Sequence, residues 1–133
     1  MPHLTIEYSA NLENRVEMST LVRRLHEAVL ATGIFPEKGL RTRTARRDEY
    51  CIADGHDDNA FIHLVLRIGS GRDLETRKRA GSAIFAALCE ATEGDQSRNP
   101  LALSFEIQEI HPELTWKNNN IAGWMSRRSR ESE

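Results

Sequence analysis

Residues 61–72 read FIHLVLRIGSGR. Ile62, Leu64, Leu66 and Ile68 share one face of an extended chain and Phe61, His63, Val65 and Arg67 the other, the two-residue period of a strand. Gly69, Gly71 and Arg72 then make a turn, and Asp73 stands where its carboxylate can cap a helix. The stripe Gly81, Ile84, Phe85, Leu88 and Thr92 gives that helix an inward face. After a polar loop containing Gly94 and Pro100 comes LALSFEIQEI, with Leu101, Leu103, Phe105 and Ile107 on one side of a further strand. Strand, helix and strand in this order predict a βαβ unit, with its strands parallel and its helix packed on the sheet.

The same grammar occurs upstream. In MPHLTIEYS, Pro2, Leu4, Ile6 and Tyr8 alternate with His3, Thr5 and Glu7. A polar connection from Ser9 to Val16 leads to Met18, Leu21, Val22, Leu25, Ala28 and Val29, spaced as an amphipathic helix, with Gly33 where a left-handed cap is wanted. Pro36 and Gly39 turn the chain into LRTRTARRDEYCIAD, where Arg41 and Arg43 alternate with Thr42 and Thr44, so two guanidinium groups project from one face of a strand. Units at 2–46 and 61–110 thus repeat at a spacing of about sixty residues, the sign of a duplicated motif.

These readings predict a single α+β domain over residues 1–125, a two-layer fold with a four-stranded mixed sheet and two helices on one face. The face away from the helices mixes Phe61, His63 and Val65, so an incompletely polar face is expected to be covered by other copies of the chain. The charged end, 126–133, has no apolar residue and is expected to be disordered.

The bulk composition narrows the function. At 133 residues, 39% hydrophobic and 29% charged, the chain has the make-up of one soluble domain with a modest core. Nothing at the N-terminus has the layout of a secretion signal, and the cytoplasm is the expected location, without membrane attachment. Cys51 and Cys89 lack metal-ligand spacing, so neither a disulfide framework nor a bound metal is expected. A net charge of -2 gives no overall attraction to nucleic acid, and the basic run RTRTARR has no aromatic platform beside it.

Two features carry chemistry. Removal of Met1, which a small following residue favours, would make Pro2 a free secondary amine, and apolar surroundings or neighbouring cations would hold such an amine neutral near pH 7, where it is a competent base. The alternative is a strand-leading proline whose missing N–H costs nothing. Arg72, in a glycine-rich turn before a helix, is placed to bind a carboxylate together with backbone N–H groups, and Arg41 and Arg43 could add contacts. Each of these arginines could instead serve in a surface ion pair. The turn lacks the lysine of a P-loop and the third glycine of a dinucleotide fingerprint. The group Asp54, His56, Asp57 and Asp58 reads as a polar turn, and His63 as a hydrogen-bonded strand residue.

Taken together, MPHLTIEYS, the duplicated unit and IGSGRDLE resemble the tautomerase superfamily. Within it, ATGIFP, GLRTR, CIADG, AFIHLVLRIGSGR and LALSFEIQEIHPEL are similar to the 5-carboxymethyl-2-hydroxymuconate isomerase family of bacterial homoprotocatechuate degradation, over Pro2 to about Ile121. The resemblance implies a homotrimer whose three sheets form a central barrel, with sites at subunit boundaries. It implies Pro2 as catalytic base, Arg72, Arg41 and Arg43 as holders of a small carboxylate substrate, and no cofactor. The implied reaction moves the double bonds of a dienol to give a 2-oxo-3-ene. Another proline-based tautomerase or hydratase of unsaturated acids, or a non-catalytic trimeric binding protein, are the alternatives. TARRDEY and the charged C-terminal extension depart from the family's pattern.

Overall fold

The computed structural model describes residues 1–132. In chain order these form β1 (His3–Ser9), α1 (Met18–Ala31), β2 (Arg41–Arg47), β3 (Ala60–Gly69), α2 (Leu74–Gln96), β4 (Leu101–Ile110) and α3 (Ile121–Glu131), with short 3₁₀ turns at Ala10–Asn14 and Glu37–Gly39. The sheet order is β2-β1-β3-β4. β1 runs parallel to β2 with His3 opposite Arg41, β3 runs parallel to β4, and the two units meet where β1 pairs antiparallel with β3, His3 opposite Arg67.

The period-two pattern decides what is buried. Leu4, Ile6, Ile62, Leu64, Leu66 and Ile68 lose essentially all contact with solvent beneath Leu21, Leu25 and Val29 of α1 and Ile84 and Leu88 of α2. Each such side chain contributes roughly 1.5 to 3 kcal/mol by leaving water. Both helices therefore cover one face, as the sequence predicts. Asp73 caps α2 by accepting the Thr76 N–H at 2.8 Å. Gly33, just past α1, has φ +76°, a conformation that a Cβ would oppose.

One long-range lash closes the fold. Arg15, beyond the first 3₁₀ turn, donates from Nε and Nη2 to the two oxygens of Asp95 at 2.9 and 2.7 Å, and to the carbonyls of Asp58 and Pro100 at 2.8 and 3.0 Å. Asp95 is buried, and this guanidinium first of all holds its carboxyl below the usual range. The connection that reads as polar also supplies Leu12, which is fully buried.

One expectation is corrected. Residues 126–131, expected to be disordered, belong to α3; Glu133 lies outside the described residues. The lack of apolar side chains there limits burial, and α3 indeed buries none, but it does not stop a helix begun at Ile121 from continuing through arginine, serine and glutamate. Asn119 starts it, accepting the Ile121 N–H at 2.8 Å, and Arg127 stacks on Trp124 at 4.2 Å. The open face of the sheet is mixed, as expected. Leu64 and Leu66 point to the helices, leaving half-buried Phe61 and Val65 among Glu7, Arg43, Arg47, Arg67 and Glu106. Glu7 accepts from Arg47 at 2.8 Å, and His63 is hydrogen-bonded to Ser104 at 2.7 Å.

Candidate active site

Pro2 sits buried where β1 begins. Its carbonyl accepts the Arg41 N–H at 3.1 Å, so pairing between the first two parallel strands starts at this residue. Gly39 lies against the ring, the position of a Cβ there being 3.6 Å from Pro2 Cδ. The pyrrolidine is thus fixed by backbone pairing on one side and a tight turn on the other. While Met1 is attached, the Pro2 nitrogen is an amide with no basicity. Met1 itself lies in a cleft of about 210 Å³ lined by Gly69, Ser70, Ile110, Pro112, Thr115 and Lys117.

Arg72 is held in place by the turn that carries it. Gly71, at φ +115°, takes a backbone shape closed to other residues and turns the chain out of β3. The guanidinium donates from Nη2 to the Ile34 carbonyl at 2.9 Å and from Nη1 to the Gly69 carbonyl at 3.3 Å, with its carbon 4.8 Å from the centre of the Phe35 ring. Two carbonyls and an aromatic face orient it without neutralising its charge. Arg41 reaches the same end of the sheet, where its Nη1 donates to Met1 Sδ at 3.2 Å.

The electrostatics converge on the chain terminus. Burial first, then the positive charges of Lys117, Arg72 and Arg41, push the pKa of the Met1 amine below its ordinary value. Beside it, His3 is likewise pushed down by burial and then by Arg43, Arg41, the terminal amine and Arg67. An amine here is driven toward its neutral form, and an anion entering the cleft meets cations of one sign. Such an arrangement can bind a multiply charged acid and offer it an uncharged base.

Of the residues singled out in the sequence, the fold gathers Pro2, Arg41 and Arg72 at one end of the sheet. Arg43 lies two residues further along β2, its Nη1 3.2 Å from His3 Nδ1. Sequence reasoning missed Lys117, which lies in no repeating pattern, and the role of Arg67, which the strand period put on the open face but could not set opposite His3. A larger groove lies elsewhere, between α2 and β4, walled by Leu74, Gly81, Phe85, Phe105 and Ile107.

The chain is similar to known proteins over most of its length. A family model described as 5-carboxymethyl-2-hydroxymuconate isomerase matches residues 2–125. The chain is 40% identical over 121 residues to the 5-carboxymethyl-2-hydroxymuconate Delta-isomerase of Escherichia coli, covering 91% of this chain and 96% of that one. It resembles the crystal structure of a 5-carboxymethyl-2-hydroxymuconate isomerase from Deinococcus radiodurans R1, with a TM-score of 0.85, 42% identity and 93% of each chain covered. A fused 4-OT described as a symmetric trimer shares the fold at 16% identity, with a TM-score of 0.59 over 89% of this chain and 92% of that one.

Proposed function

The chain belongs to the 5-carboxymethyl-2-hydroxymuconate isomerase family, and from that premise we propose that its Pro2 nitrogen, freed by loss of Met1, is the base that isomerises this dienol. The observation that carries the proposal is the set of cations, Lys117, Arg72 and Arg41, around a half-buried N-terminal amine. The amine takes the proton of the 2-hydroxyl. The oxygen lone pair closes a C2=O bond, the C2=C3 electrons move to C3=C4, and the C4=C5 electrons take a proton at C5 from the prolyl ammonium. One proton leaves oxygen and one arrives at carbon, so no redox partner or metal is needed for balance.

A depressed pKa suits both halves of the cycle. It favours the unprotonated amine and makes its conjugate acid a more willing donor to carbon. Negative charge grows on the 2-oxygen as its proton leaves, and Arg72 or Arg41 stabilises it more than it does the neutral enol. The remaining guanidinium holds a carboxylate in the bidentate geometry that arginine allows. Arg43 has a supporting place, keeping His3 uncharged beside the site.

The active unit is proposed to be a homotrimer, in keeping with the symmetric trimer described for a protein of the same fold. No helix among the described residues is long and apolar enough to cross a membrane, and the enzyme is proposed to work in the cytoplasm. The test is an ultraviolet assay with 5-carboxymethyl-2-hydroxymuconate, following loss of the conjugated dienol in wild type and Pro2→Ala. Turnover by wild type that Pro2→Ala lacks is the expected result; equal rates would remove Pro2 from the mechanism.

A further inference from the structure

We propose that Lys117, carried on the segment between β4 and α3, receives the carboxylate of the substrate's carboxymethyl arm and so sets the preference for a tricarboxylate over a dicarboxylate enol. The inference rests on the function proposed above and adds a residue and a specificity to it.

The segment is a strap laid across the Pro2 end of the sheet. Just beyond β4 it turns, the Leu114 N–H donating to the His111 carbonyl at 3.0 Å and the Glu113 N–H to His111 Nδ1 at 3.1 Å. It is tied down again at Asn119, whose Nδ2 donates to the Lys38 carbonyl at 3.0 Å. Lys38 precedes Gly39, the residue packed on the Pro2 ring. Between these anchors Pro112, Thr115 and Lys117 form one wall of the cleft, with Gly69 and Ser70 of the arginine turn opposite and Met1 inside. Since Met1 is joined to the Pro2 nitrogen, its removal empties part of the cleft directly against the base.

Charge and shape then assign the cations. The proposed substrate has three carboxylates, two conjugated with the diene and one on a methylene arm. Arg72 is clamped by two carbonyls and a ring, and Arg41 is set by strand pairing, so both suit the rigid conjugated part. Lys117 is exposed, makes no ion pair among the described residues, and ends a flexible stem. A compact ammonium on such a stem suits a carboxylate whose own position is variable. Its charge also reaches the terminal amine, which places it on the same cleft as the base.

The experiment compares Lys117→Ala, Lys117→Arg and wild type on 5-carboxymethyl-2-hydroxymuconate and on 2-hydroxymuconate, which lacks the arm. Lys117→Ala is expected to lower kcat/KM for the tricarboxylate at least tenfold more than for the dicarboxylate, mainly through KM, and Lys117→Arg to recover part of the loss. In parallel, calorimetry reads binding of propane-1,2,3-tricarboxylate and pentanedioate, which cannot isomerise. The tricarboxylate is expected to lose more affinity than the dicarboxylate in Lys117→Ala. Equal losses for the two members of each pair, which a general field effect on the base would give, or no loss at all, would overturn the assignment. If wild type isomerises neither enol, the function proposed above falls, and the calorimetric pair still decides the role of Lys117.

Discussion

Pro2 has a meaning that depends on one bond. Attached to Met1 it is a strand-leading amide; detached, it is an amine set beside the place where burial and three cations lower the pKa of the Met1 amine. Intact mass of the protein from a bacterial host is therefore expected to lack Met1, and a fully active species retaining it would exclude the prolyl base. Pro2→Ala leaves a more loosely oriented primary amine, and turnover is expected to fall by about 10² to 10⁴ with the fold unchanged, the span typical of a lost general base. The direction of the pKa shift fixes the pH profile. An amine with lowered pKa becomes neutral as pH rises through that value, so kcat/KM is expected to climb on an acid limb centred below the value of an unperturbed prolyl amine. A limb centred above it would contradict the cationic surroundings. The meeting of Pro2, Arg41 and Arg72 at one end of the sheet was legible because each lies at the end of a strand or in a glycine turn. Lys117 was not, because nothing local in ELTWKNN marks a residue that meets the N-terminus only after folding.

At the scale of elements, β1, β3, β4 and the two long helices were legible because their inward faces repeat along the chain, and β2, which buries no side chain, from the alternation of Arg41 and Arg43 with Thr42 and Thr44. α3 was not, because it buries no side chain and so leaves no inward stripe. The Arg15–Asp95 lash was also invisible, joining residues that only the fold brings together. It fastens the turn after β1 to the end of α2 and the entries of β3 and β4 through one guanidinium. Arg15→Ala would strand the buried Asp95 carboxylate, at a cost of about 3 to 5 kcal/mol, the range for breaking a buried pair by removing one partner. Denaturant unfolding checks this: an unchanged midpoint would mean that Asn99, which donates to Asp95 Oδ1 at 2.9 Å, suffices alone. The pH sense follows from the same pair. Asp95 has a lowered folded pKa, so its contribution is present above the ordinary carboxylate value near 4 and is lost as pH falls through the folded one. The acid sensitivity of the wild type is expected to exceed that of an Arg15→Ala, Asp95→Asn double variant.

For the whole molecule, the question is what covers the surfaces a single chain leaves open. Sequence reasoning expected a mixed sheet face to be covered by other copies, and that face does carry Phe61 and Val65 among charges of both signs. Two other surfaces are incomplete. The order β2-β1-β3-β4 leaves both outer strands with unpaired backbone edges, and the groove beside β4 is walled by Phe85, Phe105 and Ile107. A head-to-tail contact that joins different surfaces and closes after three copies uses both kinds of edge once per subunit. Sedimentation is therefore expected to give three times the 15.1 kDa chain, and a stable monomer at micromolar concentration would rule the trimer out. Leu74, at the mouth of the groove and 61% exposed in the single chain, gives a sharper test. A glutamate there costs the monomer little, because acidic residues are favourable in the first turn of a helix. If a neighbouring copy covers the groove, Leu74→Glu buries a charge at the contact and is expected to shift the trimer toward monomer, with activity falling in step if the site needs its neighbours. A trimer unaffected by this change would place the contact elsewhere, on the strand edges alone.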